Sequence, residues 1–103
     1  MRIQAEKDIV ETCRSMMNGE IHLLEGCRII QSLRIATDYP ENKIFFLIRS
    51  VESETDHFPL GRAREHYADS ALKRADEQMN DYIEKNREDI IKSCRNILSF
   101  YGE

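Results

Sequence analysis

Apolar residues recur along most of the chain at intervals of three and four, a spacing that predicts an all-α protein. Ile3, Val10, Cys13 and Met17, widened by Ile9 and Met16, mark a first helix over about residues 3–17. Asn18-Gly19 then supplies a left-handed stop. Leu23, Gly26, Cys27, Ile30 and Leu33, flanked by Ile21, Leu24 and Ile29, mark a second helix over about residues 20–36. A two-residue break between the two predicts an antiparallel hairpin. Gly26 costs about 1 kcal/mol against alanine in a helix interior, so its expected use is the close approach of a neighbouring helix.

Asp38-Tyr39-Pro40 reads as a helix entry, with proline near the first turn where its missing N–H does no harm. Ile44, Leu47, Ile48 and Val51 follow at helical spacing, and Phe45 and Phe46 make this third helix apolar over most of its circumference, which predicts a central position. A strand over residues 44–48 is the competing reading, disfavoured because no partner strand is visible. After a break, Asp69 is a candidate N-cap for a helix carrying Leu72, Ala75, Met79 and Ile83 on one side. Ile90, Cys94, Ile97, Leu98 and Tyr101 continue that face. Asn86-Arg87-Glu88-Asp89 resembles a capping box, so residues 70–101 form either one long helix or, the favoured reading, two with a joint or kink near Asn86, and Gly102 ends the run. The expected architecture is a single-domain bundle of four to five helices over residues 1–103, with an irregular loop around residues 52–62.

That loop is the chemically dense part of the chain. Between Ser53 and Arg64 helical periodicity stops, Pro59 and Gly61 cluster, and acidic, imidazole and guanidinium groups crowd together. Ser53, Thr55 or Asp56 can serve as helix caps, Phe58 and Leu60 as core plugs, and Arg62 as a tie for the loop carboxylates. The functional reading is an exposed acidic edge of Glu52, Glu54 and Asp56, with His57 beside it, that meets a basic partner. A second acidic strip, Asp76, Glu77, Asp81 and Glu84, is interleaved with Lys73, Arg74 and Lys85, so a solvated face is its better explanation.

Charge and composition narrow the function classes. A net charge of −4 argues against a general nucleic-acid binder, which needs a basic surface. No apolar run of about 18 residues suggests a membrane span, and Met1–Asp8 has no apolar signal core, so the expected compartment is the cytoplasm. Cys13, Cys27 and Cys94 are an odd number at wide spacings, each on an apolar helix side, and read as reduced core thiols. His57 and His66 are separated by a proline and His22 is remote, so no metal-ligand spacing occurs, and no cofactor motif is present. An Arg-x4-His ribonuclease pattern starting at Arg95 fails because Phe100 stands at the base position.

Leu24-Glu25-Gly26-Cys27-Arg28, the stretch Ser53-Glu54-Thr55-Asp56-His57 with Pro59-Leu60-Gly61, and Ser93-Cys94-Arg95 together resemble an uncharacterised family of small all-helical bacterial proteins. That resemblance implies an all-helical fold and transfers no catalytic residue. In size, acidity and lack of catalytic motifs the chain also resembles the immunity proteins of contact-dependent growth inhibition and related toxin systems. This likeness implies a non-enzymatic cytoplasmic protein, monomeric alone or in a one-to-one complex, that binds a basic nuclease toxin domain and occludes its active site. The expected contact residues are Glu52, Glu54, Asp56 and His57, with Asp76, Glu77 and Asp81 as second choices. Two alternatives are a small hydrolase or nucleotide-modifying enzyme centred on His57, and a helical adaptor or homodimer using Phe46, Phe58 or Tyr101.

Overall fold

A computed structural model describes residues 3–103, so Met1 and Arg2, at the head of the segment read for a signal core, lie outside the described residues. Four α-helices make up the fold: α1 (Gln4–Met17), α2 (Leu23–Arg34), α3 (Phe46–Thr55) and α4 (Asp69–Phe100). Short 3-10 segments at Lys43–Phe45 and Gly61–His66 precede α3 and α4, and no strand occurs among the described residues. The all-α bundle expected from the periodicity is therefore the observed one.

Local chemistry sets several of the helix boundaries. Gly19, at φ +73°, lets α1 stop in a Schellman turn: Glu20 N–H donates to the Ser15 carbonyl and Gly19 N–H to that of Met16. Because this turn uses Gly19 and Glu20, α2 begins at Leu23 rather than at the expected residue 20. The break is longer than the two residues expected, and His22 Nδ1 caps α2 by accepting from Leu24 N–H at 3.2 Å. The third helix is entered at Asn42, whose Oδ1 accepts from Ile44 N–H at 3.0 Å, not at Asp38-Tyr39-Pro40. Asp69 is the first residue of α4 and Ala68 occupies the cap position.

Antiparallel pairs close the bundle in a ring, α1 on α2, α2 on α3, α3 on α4 and α4 on α1. A Cβ on Gly26 would collide with the Met16 side chain, so the missing side chain is what lets α1 lie close on α2. Ile9, Cys13, Leu24, Cys27, Ile30, Phe45, Ile48, Ile90, Cys94 and Ile97 are fully buried in one core. Burial of such side chains contributes roughly 1.5–3 kcal/mol each before the entropy of ordering is set against it. α3 is not the central helix predicted from its paired phenylalanines: Phe45 is 0% exposed, but Phe46, about 100° further around the axis, is 55% exposed.

α4 is unbroken over 32 residues, about 48 Å at 1.5 Å per residue, and it sets the 48 Å long axis of the molecule. The joint expected near Asn86 is absent. Met79, Ile83, Ile90, Cys94 and Ile97 keep one helical phase through that point, and Asn86 Nδ2 donates to the Tyr82 carbonyl at 2.8 Å instead of capping a new helix. The first buried residue of α4 is Met79, and only exposed or half-buried positions precede it. The N-terminal part of α4 is thus only lightly covered, braced by the Gly61–His66 segment.

Candidate functional site

The irregular segment is shorter than expected, because α3 runs on through Thr55 before the chain breaks. Thr55 Oγ1 donates to the Val51 carbonyl at 2.6 Å, and its buried side chain closes the last turn. Phe58 is buried and Leu60 packs against the core, as their apolar character predicts. The tie holding the segment is not Arg62, which is exposed. Arg28, reaching across from α2, donates through Nη2 to the carbonyls of Thr55 and Phe58, both at 2.8 Å. Charge-assisted bonds of this kind satisfy carbonyls that a helix end leaves orphaned.

A second arginine fixes the chain beyond Pro59. Arg64 makes a two-pronged ion pair with Asp76, Nη1 to Oδ1 at 2.7 Å and Nη2 to Oδ2 at 2.8 Å, and also reaches the Pro59 carbonyl at 3.4 Å. The guanidinium holds the Asp76 carboxyl below the usual carboxylate range. Asp76 is therefore engaged inside the chain, bracing the start of α4.

The remaining acidic candidates fall into two groups. Glu52 and Glu54 lie in the last turn of α3 and, with Gln31, Phe46, Arg49, Ser50 and Ser53, line a shallow groove of about 660 Å³ between α2 and α3. Glu54 accepts from the Tyr82 hydroxyl at 2.6 Å, which links this edge to the middle of α4. Burial, then the bond to Glu54, raises the Tyr82 phenol above its ordinary range, so it stays a donor. Asp56 caps α3 from its exposed position, and the exposed His57 ring lies against Phe58 with centroids 4.3 Å apart. Glu77 and Asp81 are exposed on α4, Asp81 pairing with Lys85 at 3.0 Å.

Two features of this region stand out electrostatically. Residues 52–89 hold eleven acidic and six basic side chains, against eight and nine in the rest of the chain, so this segment carries the whole net negative charge. Furthermore, Glu52, Glu54 and Asp56 surround the C-terminus of α3, where no basic residue stands in the last turn. The helix macrodipole is negative there, and each such carboxylate costs about 0.3–1 kcal/mol at low salt.

Nucleophilic and metal chemistry find little support in the side chains that are described. A hydrogen bond to the Cys94 thiol and burial together hold the Cys13 thiol far above its ordinary range, and burial pushes Cys27 up to about 12. Such thiols stay protonated and unreactive at neutral pH. Among the described residues no group of three or more His, Cys, Asp or Glu side chains is arranged to hold a metal ion. Nor is any helix there long and apolar enough to cross a membrane. Comparison of the chain with protein-family models, curated proteins and solved structures gives no match.

No spacing in the sequence points to the partners of Arg28, Arg64 or Tyr82. Arg28 borders the apolar stripe of α2, but its acceptors lie 27 and 30 residues away, and no local pattern points to them.

Proposed function

We propose that the chain is an immunity protein that binds a basic bacterial toxin domain, a nuclease, and neutralises it by covering its active site. The observation that carries this reading is the ring of carboxylates at the C-terminus of α3, where the helix dipole opposes them. Groups kept in a locally unfavourable position are the ones to suspect of a role outside folding. Glu52, Glu54 and Asp56 are held on a rigid helix end by Arg28, and Tyr82 orients Glu54.

A nuclease active site must attract phosphate, so it presents positive charge at its mouth. An acidic edge on a preorganised frame competes for that mouth, speeds encounter by long-range attraction and enforces partner choice. The exposed strip of Glu77 and Asp81 extends the same field along α4. His57, at the rim, contributes its ring, tilted against Phe58, as a contact surface.

The hydrolase alternative needs His57 within hydrogen-bond reach of a carboxylate and an arginine. His57 instead rests on Phe58. Inhibition by occlusion is the better-supported reading. Its test is co-expression with the toxin domain encoded beside this gene. Protection of the cells, lost in a Glu52→Lys, Glu54→Lys, Asp56→Lys triple variant that still folds, is the expected result. Absence of both binding and protection would remove the proposal.

A further inference from the structure

Each of the three cysteines sits on the apolar stripe of a different helix, Cys13 on α1, Cys27 on α2 and Cys94 on α4, and all three are fully buried. Packing of the helices gathers their sulfur atoms into one cluster with the Met16 thioether. Cys13 and Met16 stand three residues apart on α1, so they are neighbours on the face turned to the core. Met16 fills the notch left by the missing Gly26 side chain, which fixes its sulfur where α1 lies against α2.

The direction of the hydrogen bonds follows from which sulfurs carry protons. A thioether can only accept, so in the 3.8 Å contact between Cys94 Sγ and Met16 Sδ the thiol is the donor. The lone pairs of Cys94 remain to accept, and Cys13 donates its S–H to them. Cys27 makes no such bond to either thiol. Cys13 and Cys94 are thus a preformed pair on two helices far apart in the sequence. The bond from Cys13 stabilises a thiolate on Cys94 against the opposing effect of burial, so the Cys94 thiol lies below its ordinary range while Cys13 lies above it.

We propose that Cys13 and Cys94 close into an intramolecular disulfide when the folded chain meets a peroxide, a redox latch that fastens α1 to α4 and leaves Cys27 reduced. The Cys94 thiolate attacks one oxygen of hydrogen peroxide: an S–O bond forms, the O–O bond breaks, and the departing hydroxide is neutralised by the proton Cys94 gave up. The Cys13 sulfur then displaces the sulfenic oxygen. An S–S bond forms, the S–O bond breaks, and the Cys13 proton leaves with that oxygen as water. Two thiols lose two electrons in all, and one peroxide is reduced to two waters. Cys13 needs no free thiolate for this, since its S–H already points at the reacting sulfur.

Helices packed with their axes about 8–10 Å apart bring facing Cα atoms within reach of the roughly 4.4–6.8 Å that a disulfide spans. Neither sulfur meets solvent in the closed bundle, so the reaction waits on local opening and takes minutes to hours. The latch uses none of the acidic residues of α3 and does not depend on toxin binding.

Oxidation of the folded full chain tests it. Reduced protein, freed of reductant, is held with excess hydrogen peroxide at neutral pH, then denatured and alkylated to count the remaining thiols. One alkylated cysteine, Cys27, is expected where the reduced protein gives three, together with a digest peptide that joins Cys13 to Cys94. The unfolding midpoint should rise by about 10 °C or more, reversibly with reductant, because the bond closes a loop of about 80 residues in the unfolded chain. In urea the thiols lose their fixed partners, and the same treatment should give a mixture of pairings. Cys27→Ala should still form the link. Three free thiols in the folded chain, after an exposure that oxidises all of them in urea, overturn the proposal. So do a link to Cys27, a link between two chains, oxidation of Cys94 with no link, the same mixture of pairings with and without urea, or a link that leaves the midpoint unraised.

Discussion

At the end of the bundle that holds the α2–α3 connector, acid and base are balanced and three large apolar side chains, Ile35, Tyr39 and Phe46, stand in solvent; at the other end, α3 terminates among carboxylates. Both ends depart from the surface that folding alone would select, but in different ways. Exposed apolar groups cost the monomer little, whereas carboxylates at a helix C-terminus oppose the fold directly. The contrast teaches that surface chemistry here is divided by position. One end exposes apolar side chains with little net charge, the other gathers carboxylates.

The sharpest way to break this division is between adjacent residues. Phe45→Ala should cost about 3–5 kcal/mol of unfolding free energy, because it empties a fully buried site. Phe46→Ala, measured by urea unfolding, should change stability by less than about 0.5 kcal/mol. Equal losses at the two positions would mean that Phe46 belongs to the core.

Next in size is the frame under the acidic edge. Arg28→Ala removes two charge-assisted bonds, leaving the Phe58 carbonyl without that donor and the Thr55 carbonyl with the Phe58 N–H alone, so a loss of about 2–3 kcal/mol is expected in denaturant titration. The same substitution should loosen the turn after α3, read as faster amide exchange at residues 55–58. A change confined to α2 would contradict the assigned tie.

Removing charge at the α3 terminus should act in the opposite direction. Glu52→Gln with Asp56→Asn is expected to raise stability by a few tenths to about 1 kcal/mol at low salt, and the gain should fade as salt screens the dipole. Loss of stability in that variant would mean that these carboxylates serve the fold.

The smallest effect concerns pH. His22 caps α2 through a neutral Nδ1 acceptor, and desolvation lowers its protonation below the ordinary value of 6.5. Since the folded value is the lower one, its contribution is present above pH 6.5 and declines as pH falls through the folded value. His22→Asn, which keeps an acceptor at the cap, should flatten that decline in pH-dependent thermal unfolding.

How far the sequence reveals all this depends on the reach of the interactions. Local signals are legible: Gly19 as a left-handed stop, Gly26 as a close approach, and the three cysteines as core residues. Signals competing with an equally local alternative mislead. Asn86 carries the look of a cap, yet an uninterrupted apolar phase in α4 keeps it inside a helix. Phe45 and Phe46 look alike in sequence, and only the position of the helix against its neighbours separates them. Long-range ties are invisible, since nothing near Arg28 or Arg64 announces carbonyls 27 and 30 residues away or a carboxylate 12 residues on. Of the candidates, Glu52 and Glu54 lie in the last turn of α3, Asp56 caps it and His57 follows, while Asp76 turns inward to Arg64.

Attraction between the acidic edge and a basic toxin domain is the central claim, and association kinetics test it most directly. The rate constant for binding a basic nuclease toxin domain should fall steeply as ionic strength rises, and at low salt should drop at least about tenfold in a Glu52→Lys, Asp56→Lys variant. A rate indifferent both to salt and to those two substitutions would contradict it.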